Sequence, residues 1–178
     1  MLAAQIPKNA SVLDVGCGDG TIAKLIANLR PDISISGVEF LVRPECKIEC
    51  KQFDGEKLPF GDNEFDVCLF VDVLHHTQDV TILLREAARV SRAYVLLKDH
   101  LDENILDHTT LCLMDWVGNR PHGVYLTYNY QSRAEWAEHI AKCGLTRETW
   151  EEGVPLYPAP FSLLVGRGLH FVSLLKKT

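Results

Sequence analysis

The sequence predicts an α/β fold built on a mostly parallel, doubly wound sheet with helices on both faces. Three observations lead there. Strand-like apolar runs alternate with amphipathic stretches from residue 11 to the C-terminus. The run Val12-Leu13-Asp14-Val15 passes straight into Gly16, Gly18 and Gly20 at the mouth of a helix. Phe65 to Val71 is almost continuously apolar, as a strand covered on both faces must be. A length of 178 residues with 47% hydrophobic content suits one domain, residues 1–178, with a sizeable core.

Residues 11 to 16 form the first strand. The helix behind it places apolar side chains at i, i+3, i+4 and i+7, which predicts a buried stripe of Ile22, Leu25, Ile26 and Leu29 ending before Pro31. Ile33 to Val38 reads as the second strand and Lys47 to Phe53 as a short third one. Phe65 to Val71 is the fourth, central strand. Asp79 caps a helix that buries Val80, Leu83, Leu84, Ala87 and Val90, and Ala93 to Leu97 follows as the fifth strand. Ser132 and Glu135 make a capping box for a helix through Trp136, Ile140 and Cys143, which Gly144 closes. Leu145 to Trp150 and Leu169 to Leu175 bring the strands to seven.

The formal net charge of -6 argues against a general phosphate-binding surface, so bulk nucleic acid is not an expected partner. No apolar run is long enough for a transmembrane segment, and no basic region with an apolar core and cleavage site opens the chain, so the expected location is cytoplasmic. Among six cysteines, only Cys46 and Cys50 stand close in sequence. Without a second pair or a histidine at ligand spacing they read as ordinary thiols, and no metal is expected.

The glycine turn carries the first functional signal. Glycine has no Cβ and tolerates positive φ, so the backbone amides can press against a small molecule at the helix N-terminus. Asp14, a carboxylate near the end of a buried strand, is costly unless it is paired, and a cationic ligand supplies a partner. Dinucleotide-binding domains place a similar turn at the same point of the fold. Their fingerprint, counted from Gly16, requires glycine or alanine where this chain has Thr21, and the third glycine falls one residue early at Gly20. Glu39 ends the second strand, a place where NAD enzymes also carry an acid, so it supports nucleoside binding without naming the cofactor. Phe40 beside it can pack on a base.

The segment Phe53-Asp54-Gly55-Glu56-Lys57-Leu58-Pro59-Phe60-Gly61-Asp62-Asn63-Glu64-Phe65-Asp66 narrows the choice. It resembles the D-x-x-x-LPF-x-D-x-x-FD pattern of the type 11 group of class I S-adenosylmethionine-dependent methyltransferases, which includes ubiquinone and menaquinone C-methyltransferases. With the glycine turn, Val71 to His76 and the helix from Asp79, the resemblance covers residues 11 to 99, the expected cofactor-binding core. It implies a Rossmann-like, seven-stranded sheet with an antiparallel C-terminal strand, S-adenosyl-L-methionine as cofactor and S-adenosyl-L-homocysteine as product. It further implies that Gly16 and Gly18 cradle the cofactor, that Asp14 serves its amine and that Glu39 serves both ribose hydroxyls. Asp54 then meets the adenine amino group, the Gly55 amide meets a ring nitrogen, and Asp72 lies beside the methionyl part. Only ten residues stand ahead of the first strand, where members of this family usually carry helices that cover the cofactor.

Methyl transfer requires alignment, exclusion of water and, for some acceptors, removal of a proton. His76 and His75 are the candidate bases, because imidazole titrates near neutrality. Residues 100–130 depart from the family pattern and read as an acceptor-site cap, with His100, Asp115, Trp116, Asn119 and Tyr128 as candidate contacts and Tyr125 and Tyr130 as further aromatic wall. Lys98, if buried, needs a partner, which Asp99 or Asp115 can provide. The chain has neither the Asn/Asp-Pro-Pro-aromatic motif of amide and amine methyltransferases nor a Pro-Cys nucleophile, so the expected acceptor is a small molecule, methylated at oxygen, nitrogen or carbon. The alternatives are a nicotinamide-dependent oxidoreductase and a non-catalytic, cofactor-binding accessory protein.

Overall fold

A computed structural model describes residues 1–119, 126–154 and 168–178. Strands β1 (Ser11–Val15), β2 (Ser34–Glu39), β3 (Cys50–Gln52), β4 (Phe65–Val71) and β5 (Ser91–His100) run parallel. β8 (His170–Lys177) returns antiparallel beside β5, and β6 (Leu145–Arg147) and β7 (Glu151–Glu152) both pair antiparallel with β8. The order is β3-β2-β1-β4-β5-β8-β6, with β7 off this path. The chain steps outward from β1 to β3 and then returns to lay β4 on the other side of β1, so the crevice where an open α/β sheet binds its ligands lies beyond the ends of β1 and β4.

Among the described residues the sheet has eight strands where the sequence predicts seven. The difference lies in the predicted strand from Leu145 to Trp150. The N–H groups of Glu148 and Thr149 both reach the Leu174 carbonyl, at 2.9 and 3.3 Å, so two residues oppose one and the strand bends before pairing again as β7. β5 runs three residues past its predicted end, because Lys98, Asp99 and His100 pair with Val172, Phe171 and His170. β3 is shorter than its predicted span.

Alternation along the strands feeds two cores. Leu13, Phe70 and Leu97 face α3 (Val80–Val90) and α5 (Arg133–Lys142), together with Trp136 and Phe171. Val12, Leu69 and Leu96 face the other way, toward α1 (Leu2–Gln5) and α2 (Thr21–Leu29). α3 buries all five predicted side chains, and its Asp79 cap accepts from the Thr81 N–H at 2.8 Å. The capping box of α5 forms as read from Ser132 and Glu135.

α2 departs from expectation. Its sheet-facing side is only Ala23 and Ile26, whereas Ile22, Leu25 and Leu29 are 43%, 54% and 73% exposed. The helix meets the sheet along a narrow edge, and its remaining apolar side chains line a cavity with Leu2, Met114 and Val154. The segment after β5 forms α4 (Ile105–Asn119), which the sequence reading leaves without a defined element. Among the described residues no helix is long and apolar enough to cross a membrane.

Candidate active site

At the end of β1 the chain turns at Gly16 with φ +73°, and a Cβ there would lie 2.8 Å from the Val73 methyls, so the position accepts only glycine. Gly18 then donates its N–H to Glu39 Oε2 at 2.7 Å, while Glu39 Oε1 accepts from the Phe40 N–H at 2.8 Å. Glu39 is therefore anchored between the glycine turn and its own strand end. Each carboxylate oxygen keeps acceptor capacity for a further donor. Phe40 is 62% exposed, which removes a core role, and its ring lies 3.5 Å from where a Cβ on Gly55 would stand. Asp54 Oδ1 accepts from the N–H groups of Lys57 and Glu56 at 2.7 and 2.9 Å, and these bonds hold the carboxyl below its ordinary range.

Asp14 lies in the middle of this arrangement and is 3% exposed. Burial, followed by the charge of Glu39, raises its pKa to about 7, and among the described residues no hydrogen-bond donor offsets the shift. It is a buried acid in need of a cation.

A second polar cluster lies beyond β4 and β5. Asp72 follows β4 in the left-handed region at φ +57° and binds Lys98 Nζ at 2.6 Å. The sequence reading offers Asp99 or Asp115 as the partner of Lys98. The register decides otherwise, since Val71 pairs with Lys98 and brings Asp72, the residue after β4, against the Lys98 side chain. Asp99, on the opposite face, is fully buried; it accepts from the Leu74 and His100 N–H groups at 3.0 and 2.9 Å and lies 2.6 Å from His75 Nδ1. His75 Nε2 lies 3.4 Å from Asp115 Oδ2, which also accepts from the Tyr130 hydroxyl at 2.5 Å.

Charge in this cluster is strongly polarised. Burial alone would lower the His75 pKa, but Asp99 and Asp115 lift it to about 10. Burial likewise opposes ionisation of Asp99, yet His75 and His100 hold it well below the usual carboxylate range. Burial and the His75 charge push His76 down to about 4, and burial with Lys98 pushes His170 down to about 3. At neutral pH His75 is a cation and His76 is a neutral base.

His170 joins this cluster from β8. It pairs with His100 across the antiparallel strands and lies 3.3 Å from Lys98 Nζ through Nδ1. Its only signal in the sequence is a polar residue at the edge of the apolar run from Leu169. Asp72, His75, His76, His100, Asp115 and His170 line one side of a cavity of about 670 Å³, and Leu2, Ile22, Leu25 and Met114 line another. The remaining cap candidates lie elsewhere. Trp116 is 47% exposed on α4, and Tyr128, at φ +53°, packs against the small core of Leu111, Tyr130 and Leu169. The Asn119 side chain and Tyr125 lie outside the described residues.

A methyltransferase-domain family model matches residues 13–94. The fatty-acid O-methyltransferase of Mycolicibacterium smegmatis is 36% identical over 99 residues, covering 49% of this chain and 36% of that enzyme. The ubiquinone/menaquinone biosynthesis C-methyltransferase of Desulfotalea psychrophila is 32% identical over 93 residues, covering 47% of this chain and 38% of that one. The matches thus take in less than half the length of these curated relatives. The crystal structure of an S-adenosylmethionine-dependent methyltransferase from Mesorhizobium loti superposes with a TM-score of 0.70 at 16% identity, over 99% of this chain and 95% of that one, a likeness of fold.

The cofactor implied by this family is S-adenosylmethionine, and the residues present fit it. The buried Asp14 calls for a cationic group, and the Glu39 and Asp54 carboxylates each keep acceptor capacity beyond their backbone bonds. Residues 13–94 thus match the methyltransferase-domain family model, and the sheet they build shares its fold with solved S-adenosylmethionine-dependent methyltransferases.

Proposed function

We propose that the protein transfers the methyl group of S-adenosylmethionine to an oxygen, nitrogen or carbon atom of a small amphipathic molecule. The observation that carries this reading is the cavity beyond β4, whose histidine and carboxylate floor faces an apolar wall from α1, α2 and α4. Such a chamber suits an acceptor with an apolar body and one polar reacting group. The cofactor supplies an activated methyl group on a sulfonium. In this reading Asp14, Gly16 and Gly18 hold its amine end, Glu39 the ribose, and Asp54, Gly55 and Phe40 the adenine. Asp72, fixed by Lys98, borders both sites and positions them.

The two candidate bases take different parts. A base must arrive unprotonated, so His75, held as a cation between Asp99 and Asp115, does not accept a proton. Burial, reinforced by that charge, keeps the adjacent His76 neutral, and His76 removes the proton where the acceptor must lose one. Residues 100–130 act as the cap, with His100 and Asp115 turned to the acceptor cavity.

A screen with a radioactive methyl donor, comparing amphipathic acids, phenols and amines with fully polar analogues, tests the proposal. The amphipathic acceptors are expected to become labelled. His76→Gln should then lower kcat by about a hundredfold, within the usual range for general-base catalysis, while leaving S-adenosylhomocysteine affinity intact. Because the His76 pKa is depressed, the wild-type rate on such an acceptor should hold from neutrality down toward pH 4. Labelling of polar analogues alone, or full turnover by His76→Gln, contradicts this assignment.

A further inference from the structure

We propose that Cys17, Cys46 and Cys50 form a binding site for one thiophilic d10 cation, zinc or copper(I). The three sulfurs lie within 4.8 Å of one another, and those of Cys17 and Cys50 are 3.4 Å apart. A zinc–thiolate bond of about 2.3 Å sets the sulfurs around one ion roughly 3.8 to 4.0 Å apart, so small side-chain rotations suffice to seat it. Soft thiolate ligands select for these cations over harder ones.

The sheet builds this triad from segments distant in sequence. Cys17 comes from the glycine turn after β1, Cys46 from the loop after β2 and Cys50 from the first position of β3. Gly37 makes the meeting possible: a Cβ there would stand 2.5 Å from Cys17 Sγ, and Gly37 is the residue that pairs with Cys50. Cys17 is 9% exposed, whereas Cys46 and Cys50 are half-buried, so an ion reaches the site from the β3 edge. The reading of Cys46 and Cys50 as two ordinary thiols misses the third sulfur, because no local spacing links the glycine turn to them.

Binding is an exchange without electron transfer. Each thiol releases one proton to water as its sulfur–metal bond forms, and the oxidation state of the ion is unchanged. The triad shares no residue with the histidine and carboxylate cluster beyond β4.

The test uses the reduced, metal-free full chain under anaerobic conditions, titrated with Zn(II) against a chromophoric chelator and with Cu(I) against a cuprous chelator. Co(II) serves as the spectroscopic probe. One equivalent of Zn(II) or Cu(I) is expected to bind, and Co(II) should give a thiolate-to-metal charge-transfer band in the near ultraviolet. Cys46→Ser and Cys50→Ser should each weaken binding by about a hundredfold or more, whereas Cys112→Ser on α4 should leave it unchanged. Circular dichroism checks that the variants fold, and the cobalt band on the unsubstituted chain is independent of them. Absence of stoichiometric binding of both ions, zinc binding without the cobalt thiolate band, or binding that survives both substitutions overturns the proposal; the last result would assign the ion to the histidine cluster.

Discussion

Asp99→Ala is expected to destabilise the fold by about 3 to 5 kcal/mol, the range for removing one partner of a buried charge pair. Asp99 is 0% exposed and joins three neighbours: the Leu74 N–H at the turn after β4, the His100 N–H on its own strand, and His75. Alanine would leave two backbone donors and an imidazolium without their acceptor. Urea unfolding measures the loss. The His75 pKa is raised above its ordinary value near 6.5. The stability gained from its protonation is therefore fully present below that value and is lost as pH climbs through about 10. The gap between wild type and variant should narrow over that window. A loss under about 1 kcal/mol, or a gap that widens as pH rises, would show that this ion pair does not organise the end of β5.

Asp14→Asn is expected to act in the opposite direction. The folded pKa of Asp14 is raised from 3.8 to about 7, so between these values the unfolded chain loses a proton that the folded chain retains, and stability falls as pH rises. Above pH 7 the accumulated cost is on the order of 4 kcal/mol. Asparagine removes the charge at nearly constant volume. The variant should equal wild type near pH 4 and exceed it progressively up to pH 8. Its S-adenosylhomocysteine affinity should drop by about tenfold or more, since the amine loses its carboxylate. Stability gained together with affinity lost is the pattern of a strained binding residue. Equal stability at pH 8, or unchanged affinity, would remove Asp14 from the cofactor site.

The glycine turn and the acids around it were legible because their determinants are local. Glycines that must turn, a carboxylate in an apolar strand and an acid at a strand end each leave a mark within a few residues, and the alternation of elements fixed the sheet around them. Features that depend on register were not legible. The Lys98–Asp72 pair follows from β4 lying beside β5, His170 reaches the cluster only because β8 returns antiparallel, and Cys17 meets Cys50 across two strand spacings. The helical stripe of α2 failed for a different reason. Periodicity reports that a face is apolar but not what covers it, and Ile22, Leu25 and Leu29 turn to a cavity rim instead of the sheet.

The central claim is that Asp14, Glu39 and Asp54 hold S-adenosylmethionine, and calorimetric titration of the purified chain with S-adenosylhomocysteine, S-adenosylmethionine and NAD tests it most directly. The account predicts saturable binding of both sulfur ligands, no response to NAD, and a loss of about 1.5 to 3 kcal/mol in Glu39→Ala, the range for hydrogen bonds to a charged group. Binding of NAD without a response to either sulfur ligand, or an unchanged affinity in Glu39→Ala, would contradict it.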